Sequence, residues 1–488
     1  MTGLVKFQEM PDEPPPSRSD AGPFRPYWFD EALKREGEPE VTPLNGHIAS
    51  DVCIVGGGYT GLWTALMLKE QDPDIKITII EKELCGYGAS GSNGGCVLTL
   101  ATKYFSLCQF YGRNEARRLV MASEEAVQKI KQYTEEHHID CDLRIDGAQY
   151  IATNEAQVGV MDEVIQALEE EGISSWVRQP LGKAVEFAGT NEIREAFFSP
   201  NAGSVQPALL VRGLVRVARE KGIQIYENTP MNQILPDKAR PKVMTPNGSI
   251  DAGKVVLAIN AWMASEFRKF SRSIVVVSSD MAITEPIPDR LEEVGLTHGA
   301  TICDSRTFVH YFHTTSDGRL LFGKGGNTFA YGSKMLSLFF QASAYSSQLK
   351  RALERFFPKF KSAKLEQTWT GGSDRSTTGF PFFGNLDEHP NIHYGFGYSG
   401  NGITQSWLGG RILCSLCLGR DDEWSRCGFV GGPRGYFPPE PIRWIGSMMV
   451  RNAIRRKEAA EDAGVRPNIY DSLMARFAKS AGRSDKKA

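Results

Sequence analysis

The chain has 488 residues, of which 41% are hydrophobic and 23% charged, with a formal net charge of −2. This length exceeds one small core and sets two domains as the expectation, while a near-zero charge balance gives nucleic acid or an anionic membrane no electrostatic footing. No apolar run is long enough to cross a membrane, Met1–Pro15 lacks the apolar centre of a secretory signal, and nine cysteines without framework spacing fit reduced thiols in a cytoplasm.

Residues 1–48 read as an arm broken by Pro14–Pro16, Asp20–Gly22 and Pro43, with Tyr27, Trp28 and Phe29 pinning it to the body. Asp51–Val55 (DVCIV) is a short apolar run, the pattern of a buried strand. Gly56, Gly58 and Gly61 follow in G-x-G-x-x-G spacing, then Leu62, Ala65, Leu66 and Leu68 at helical spacing. Ile75–Ile80 is a second buried strand, closed by Glu81 twenty residues past Gly61. Strand, glycines, helix, strand and acid in register form a complete dinucleotide fingerprint. Gly56 permits the tight turn, Gly58 lets a pyrophosphate approach the backbone, and Gly61 lets helix pack on strand. The helix N-terminus offers its N–H groups and positive dipole end to the phosphates. Glu81 can accept both ribose hydroxyls and would repel a 2′-phosphate.

Gly86–Gly95 (GYGASGSNGG) is rich in glycine and small polar residues and suits close backbone approach to an anion or a ring system. Asn114–His138 and Val158–Glu171 read as helices, with Asp142–Thr153 between them as a strand pair turning at Gly147. This block has no dinucleotide character and reads as part of an inserted domain. Pro207 opens a helix over Ala208–Lys221, and a strand follows at Ile223–Tyr226. Lys254–Asn260 is an apolar strand ending in Asn260, Ala261 and Trp262. Ser273–Thr284 is β-rich, and Phe308–Thr315 with Leu320–Gly323 flank Asp317–Gly318 as a hairpin. Tyr311 and His313 share one face of its first strand, and Phe308, His310 and Phe312 the other.

Asn391–Gly397 is a strand running into Gly395, Gly397 and Gly400, a second G-x-G-x-x-G, followed by a helix over Ile403–Leu418. Asp421, the acid at the right distance, follows a helix and a turn instead of a second strand, so the βαβ unit is missing. The segment reads as one helix N-terminus aimed at a single anionic or electron-rich group, and a chain shuttling electrons between NAD(P)H and FAD is not expected. Cys414-x-x-Cys417 lies within this helix with no second ligand pair, so it reads as core with no metal. From Pro433 the chain changes character. Pro438, Pro439 and Pro441 make an extended segment, and Arg443–Ala488 carries eleven Lys/Arg against five Asp/Glu. The helix around Val450–Glu461 reads as solvated, clasping the surface.

Asp51–Gly61, Gly88–Gly95, Val255–Trp262, Thr368–Gly371 with Pro381–Gly384, and Gly397–Gly402 occur in an order that resembles the D-amino-acid oxidase/glycine oxidase superfamily of FAD-dependent amine oxidoreductases, most of all its γ-glutamylputrescine oxidoreductase branch. The resemblance implies an α/β plus α+β fold: a Rossmann-like FAD domain with an inserted antiparallel-sheet substrate domain. Laid on this chain, it gives an arm at 1–48, an FAD domain from 49–107, 200–262 and 366–432, a substrate domain from 108–199 and 263–365, and a helical tail at 433–488. It implies that Gly56, Gly58, Tyr59, Thr60 and Gly61 hold the pyrophosphate, and that Glu81, with Lys82 beside it, holds the adenosine ribose. Ala89, Ser90, Asn93, Gly94 and Gly95 then lead toward the flavin, Met231 meets adenine through its backbone, and Asn260 belongs to the same cofactor set. Gly400, Asn401, Gly402 and Ile403 face the flavin N1–C2=O edge, where a helix N-terminus stabilises the charge of the reduced ring.

No cysteine lies in Gly371–Leu386 and no histidine near Gly88–Gly95, so noncovalent FAD follows unless Cys96 is an anchor. Where relatives carry a carboxylate-binding arginine, this chain reads His310–Phe312 and His313, which shifts the expectation from a free amino acid to a larger amine. Arg306 and Arg319 are the arginines whose placement would restore the amino-acid reading. The implied activity is oxidation of a primary or secondary amine to an imine, with hydride passing to flavin N5 and oxygen or another acceptor reoxidising it. Tyr311 and His313 are candidates for positioning or proton management, Lys324 for oxygen activation, and Phe312 and Trp262 for apolar walls. The alternatives are an amino acid oxidase or dehydrogenase and a flavin-binding subunit of a larger complex; a tRNA-modifying flavoenzyme is disfavoured by the near-neutral charge.

Overall fold

The computed structural model describes residues 24–173, 175–237, 239–386, 389–478 and 485. The apolar half of the first predicted strand, Val52–Val55, is buried on both faces and forms the inner end of β1 (Gly46–Val55). Such a strand needs neighbours on both edges and helices on both faces. It pairs in parallel with β2 (Ile77–Ile80) on one side and with Gly248–Leu257 on the other. The order across this sheet is Phe382–Leu386, His389–Phe396, Gly248–Leu257, β1, β2 and Gln224–Tyr226. Along this order all neighbours are parallel except the first pair, and Lys242–Thr245 and Gln233–Leu235 add on antiparallel from Gly248–Leu257. Helix α2 (Tyr59–Gln71) is buried along ten consecutive residues, Tyr59–Leu68, because the Gly402–Cys417 helix lies on its outer side. A methyl group on Gly410 would meet Cβ of Trp63 at 2.7 Å, so the two helices touch through a glycine.

The second sheet runs Leu365–Ser376, Ile274–Thr284, Leu320–Phe329, His310–Thr314, Thr301–Asp304, Ala148–Ala152, Glu195–Ser199 and Val177–Arg178. It is antiparallel apart from the parallel pair Thr301–Asp304 and Ala148–Ala152. Leu365–Ser376 pairs along its length with Ile274–Thr284, although the expected division assigns residues from 366 onward to the FAD domain.

Several segments differ from expectation for local reasons. Asp142–Thr153 is not a strand pair: only Ala148–Ala152 is a strand. Asp142 at φ +49° and Gly147 at φ +101° break the segment, and Glu195–Ser199 and Thr301–Asp304 supply the partners. The helix expected from Val158 starts at Asp162, because a 3-10 turn at Glu155–Gln157 and Gly159 at φ +75° come first. Within Gly86–Gly95, Ala89–Ser92 closes one helical turn. Between the expected breaks, the aromatic anchor of the arm lies on a helix not expected from the sequence. Helix α1 (Tyr27–Glu36) buries Trp28, Phe29, Ala32 and Leu33 and ends at Gly37 with φ +86°. Pro14–Pro16 and Asp20–Gly22 lie outside the described residues.

The tail helix is longer than expected, Ile442–Asp462, and a second helix follows at Ile469–Ala475. The tail is not merely a solvated clasp. Arg443, Arg451 and Glu458 are all buried against the second sheet. No described helix is long and apolar enough to cross a membrane.

Candidate active site

The glycine turn after β1 is built as its spacing requires. Gly56 sits at φ +111°, and a Cβ there would lie 2.5 Å from the Ala258 carbonyl oxygen. A Cβ on Gly61 would lie 2.1 Å from the Gly56 carbonyl oxygen, so only glycine lets α2 come this close to β1. Gly58 faces the cavity described below, and its nearest side chain is Ser90, whose Oγ would be 2.9 Å from a methyl group. Ser90 Oγ accepts from Tyr59 N at 3.0 Å. The Tyr59 hydroxyl donates to Pro207 O and Thr60 Oγ1 donates to the Tyr398 hydroxyl, both at 2.7 Å. These side chains are therefore tied into the body of the protein, and what they give the site is the position of the α2 N-terminus.

Glu81 accepts from Gly57 N at 2.7 Å and from Glu83 N at 3.1 Å. Burial raises its pKa against these donors. Lys82, Met231 and Asn260 line the same cavity. Asn93 is a brace: its amide donates to Ala89 O and Ser90 O, and its oxygen accepts from Gly95 N at 2.8 Å.

A cavity of about 730 Å³ runs from Glu81, Lys82 and Met231 past Gly58, Ser90 and Gly94 to Tyr311, Arg375 and Gly400. Gly56, Tyr59, Thr60, Ala89, Asn93, Gly402 and Ile403 also border it. Gly61, Gly95 and Asn401 do not line it. The first two act through packing, since a Cβ on Gly95 would lie 2.3 Å from Val205 O. Asn401 turns its amide toward Thr99 O at 3.5 Å. Before the Gly402–Cys417 helix, Asp374 accepts backbone N–H groups from Gly397, Tyr398 and Ser399 and so holds the turn. Burial pushes its pKa up to about 6.

The hairpin splits the three expected catalytic residues. Tyr311 is buried at the cavity wall, and its hydroxyl lies 2.9 Å from Ser279 Oγ. Its ring fills a slot made by two glycines, since a Cβ on Gly94 or Gly323 would lie 2.3 or 2.1 Å from ring atoms. His313 shares that face but stops short of the cavity. Its Nε2 lies 3.0 Å from Gly94 O, its ring stacks on Trp28 at 6.3 Å, and burial lowers its pKa. Lys324 lies on the opposite face. Gly323 and Gly325 point toward the cavity side, so strand alternation turns Lys324 away. Its ammonium donates to Phe308 O at 3.1 Å, and burial pushes its pKa down to about 8. Phe312 is likewise no wall of the cavity; it packs with Phe356 and Phe357. Trp262 does line the cavity, 6.0 Å from Phe340, on which Tyr87 stacks at 5.8 Å.

Neither arginine named from the sequence reaches the cavity. Arg306 pairs with Asp304 and Asp462, and Arg319 with Asp317 and Glu366. The cavity arginine is Arg375, whose Nη2 would lie 3.1 Å from a Cβ on Gly400. Alternation along Trp369, Gly371, Ser373 and Arg375 carried that signal, but only once Leu365–Ser376 is known as a strand. The cradle fits a bound dinucleotide bearing a polar ring: Asn260 Oδ1 and Ser373 Oγ border it, buried and without hydrogen-bond partners among the described residues. Cys96 borders it too, with Sγ 3.6 Å from Gly94 O.

Comparison with known proteins agrees with this geometry. The sequence model of the family described as FAD dependent oxidoreductase matches residues 51–416. The chain is 29% identical over 407 residues to gamma-glutamylputrescine oxidoreductase of Escherichia coli, covering 81% of this chain and 89% of that protein. It is 27% identical over 417 residues to a Haemophilus influenzae protein named "Probable oxidoreductase OrdL", covering 82% and 90%. The crystal structure of glycine oxidase from Geobacillus kaustophilus superposes with a TM-score of 0.63 at 23% identity, covering 77% of this chain and 96% of that one. A glycine cradle built for a dinucleotide and a family match running from β1 through the Gly402–Cys417 helix lead to one conclusion: the chain belongs to the DAO family and is an FAD-dependent oxidoreductase.

Proposed function

We propose that this enzyme oxidises a primary or secondary amine carried on a small molecule larger than glycine, of the γ-glutamylputrescine type, and works in the cytoplasm. The observation that carries the reading is the lining of the cavity, which combines the Tyr311–Ser279 hydroxyl pair with an aromatic pair, Trp262 and Phe340. Hydroxyls orient an amine or amide without demanding an α-carboxylate, and aromatic faces suit an amine. The likeness to the Escherichia coli gamma-glutamylputrescine oxidoreductase supports the same substrate class.

In this reading Gly56, Gly58 and the α2 N-terminus would hold the pyrophosphate of FAD, Glu81 the ribose, and Gly400, Gly402 and Ile403 the flavin pyrimidine edge. FAD, held noncovalently, supplies the two-electron acceptor for the C–H bond beside the amine. The chain's own part is to orient and desolvate. Tyr311, braced by Ser279 and wedged between Gly94 and Gly323, fixes one side of the amine. Trp262 and Phe340 exclude water. The amine must be neutral to react, and a buried, apolar setting favours that form. Lys324, on the far face, has no part in this scheme.

Arg375 favours a second reading, in which the same site binds the carboxylate of an amino acid. One experiment separates the two. The enzyme is mixed without oxygen with primary and secondary amines, γ-glutamylated diamines and free amino acids, and the flavin absorbance is followed. Bleaching by γ-glutamylated diamines or simple amines is expected. Bleaching by free amino acids alone selects the second reading, and an unchanged flavin across the panel sinks both.

A further inference from the structure

The Leu320–Phe329 strand does not pair evenly. Val277 faces Phe329, but Ser279 faces Gly325, so Gly326, Asn327 and Thr328 together oppose Ser278. Gly326 takes φ +83° in this bulge. A bulge leaves backbone groups outside the ladder, and when buried they need other partners. Thr328 N donates to Ser278 Oγ at 2.9 Å. The carbonyls are served from elsewhere. Asn327, fully buried, accepts on its backbone oxygen from Arg451 Nη1 and on its side-chain oxygen from Arg455 Nη2, each at 2.8 Å. Its amide donates to Asp280 Oδ2 at 3.0 Å. Phe329 O accepts from Trp444 Nε1 at 3.1 Å.

Trp444, Arg451 and Arg455 all belong to the tail helix Ile442–Asp462, beyond residue 416 where the family match ends. Arg451 is 1% exposed. Taking a guanidinium out of water is costly, and a helix that only covered surface would not do so. The same helix is held at its far end, where Glu458 accepts from Thr307 N at 3.1 Å and Asp462 accepts from Asn154 Nδ2 at 2.8 Å. On the cavity side of the bulge stand Ser279 and Gly325, and Ser279 holds the Tyr311 hydroxyl.

We propose that the tail helix is a positioning element of the active site, with Arg451 the positioning residue: by holding the bulge at Asn327 it sets the place of Ser279, Gly325 and Tyr311. The inference goes beyond the amine-oxidase reading and holds whatever the substrate is.

Amide hydrogen exchange on the FAD-loaded enzyme tests it. In Arg451→Met, peptides covering 308–314 and 320–329 should exchange on the order of tenfold faster, while 51–81 stays at the wild-type rate. Arg451→Lys, which keeps a charged donor, should recover part of the protection. Trp444→Phe, which removes only the donor to Phe329 O, should give a smaller change of the same kind. With any amine that bleaches the wild-type flavin, the half-saturating concentration should rise in Arg451→Met without loss of FAD. Unchanged exchange in the hairpin overturns the proposal. So does acceleration shared equally by 51–81, or loss of folded FAD-loaded protein in both Arg451→Met and Trp444→Phe, since each marks general scaffolding. The exchange readout needs no substrate, so its failure is separate from failure of the amine panel.

Discussion

Replacing Gly61 by alanine puts a methyl group 2.1 Å from the Gly56 carbonyl oxygen and 3.1 Å from Cγ2 of Ile54. A tolerable C···O contact is about 3.3 Å, so α2 has to withdraw from β1 by about 1 Å. Both obstructing groups belong to the packed strand and its turn, so neither can swing aside. The withdrawal carries the α2 N-terminus away from the place proposed for the pyrophosphate. A hydrogen bond to a charged group contributes about 1.5–3 kcal/mol, so losing the alignment of one or two costs about 3 kcal/mol, roughly a hundredfold in affinity. The assay is titration of the apoprotein with FAD, followed by quenching of flavin fluorescence. Gly58→Ala is the contrast. Its methyl group meets only the Ser90 side chain, which can turn away at the loss of one hydrogen bond from Tyr59 N, so the apoprotein should melt close to normally while FAD binding weakens through intrusion into the cavity. If Gly61→Ala binds FAD within about threefold of wild type, the argument that close helix–strand approach places the phosphate site is wrong.

Tyr311→Phe should lower turnover about tenfold or more with FAD still bound, the scale of one lost orienting hydrogen bond; wild-type turnover with an amine that bleaches the flavin would remove this wall from the active site. Arg375→Met, which keeps the stem and removes the charge beside Gly400, should weaken formation of the sulfite adduct of the flavin; an unchanged sulfite Kd would place Arg375 away from the ring. Burial pushes Lys324 down to about 8, so between that pH and its unfolded value near 10.5 the unfolded chain binds the extra proton and stability rises with pH. Chemical denaturation of wild type should therefore gain about 2 kcal/mol from pH 8 to 10 relative to Lys324→Met, and parallel profiles would refute the assignment. Acid precipitation should release all the FAD into the supernatant, and yellow colour left on the pellet but lost in Cys96→Ser would show a covalent anchor instead.

Close to the backbone, the residues of this chain determine their own structure. The βαβ unit at Asp51–Glu81 was legible because glycines at 56, 58 and 61 answer local demands: a positive φ, an open approach and a close contact. The Gly402–Cys417 helix and the hairpin at Asp317–Gly318 were legible for the same reason, since period and turn chemistry act within a few residues. In the arm the aromatic anchors Trp28 and Phe29 were legible but the helix α1 that carries them was not, because it is stabilised by burying them against distant elements. What the tertiary structure alone decided is which candidates meet. Tyr311, His313 and Lys324 sit within one hairpin, yet register sends Lys324 to the far face and leaves His313 bonded to Gly94 O. Arg375 enters the cavity because Leu365–Ser376 pairs with a strand nearly a hundred residues earlier. Arg451 is buried because a bulge at Asn327 leaves a carbonyl that needs a donor. Side-chain direction in a sheet reverses with a shift of one residue, and pairing partners far apart in sequence fix that register only when the chain has folded.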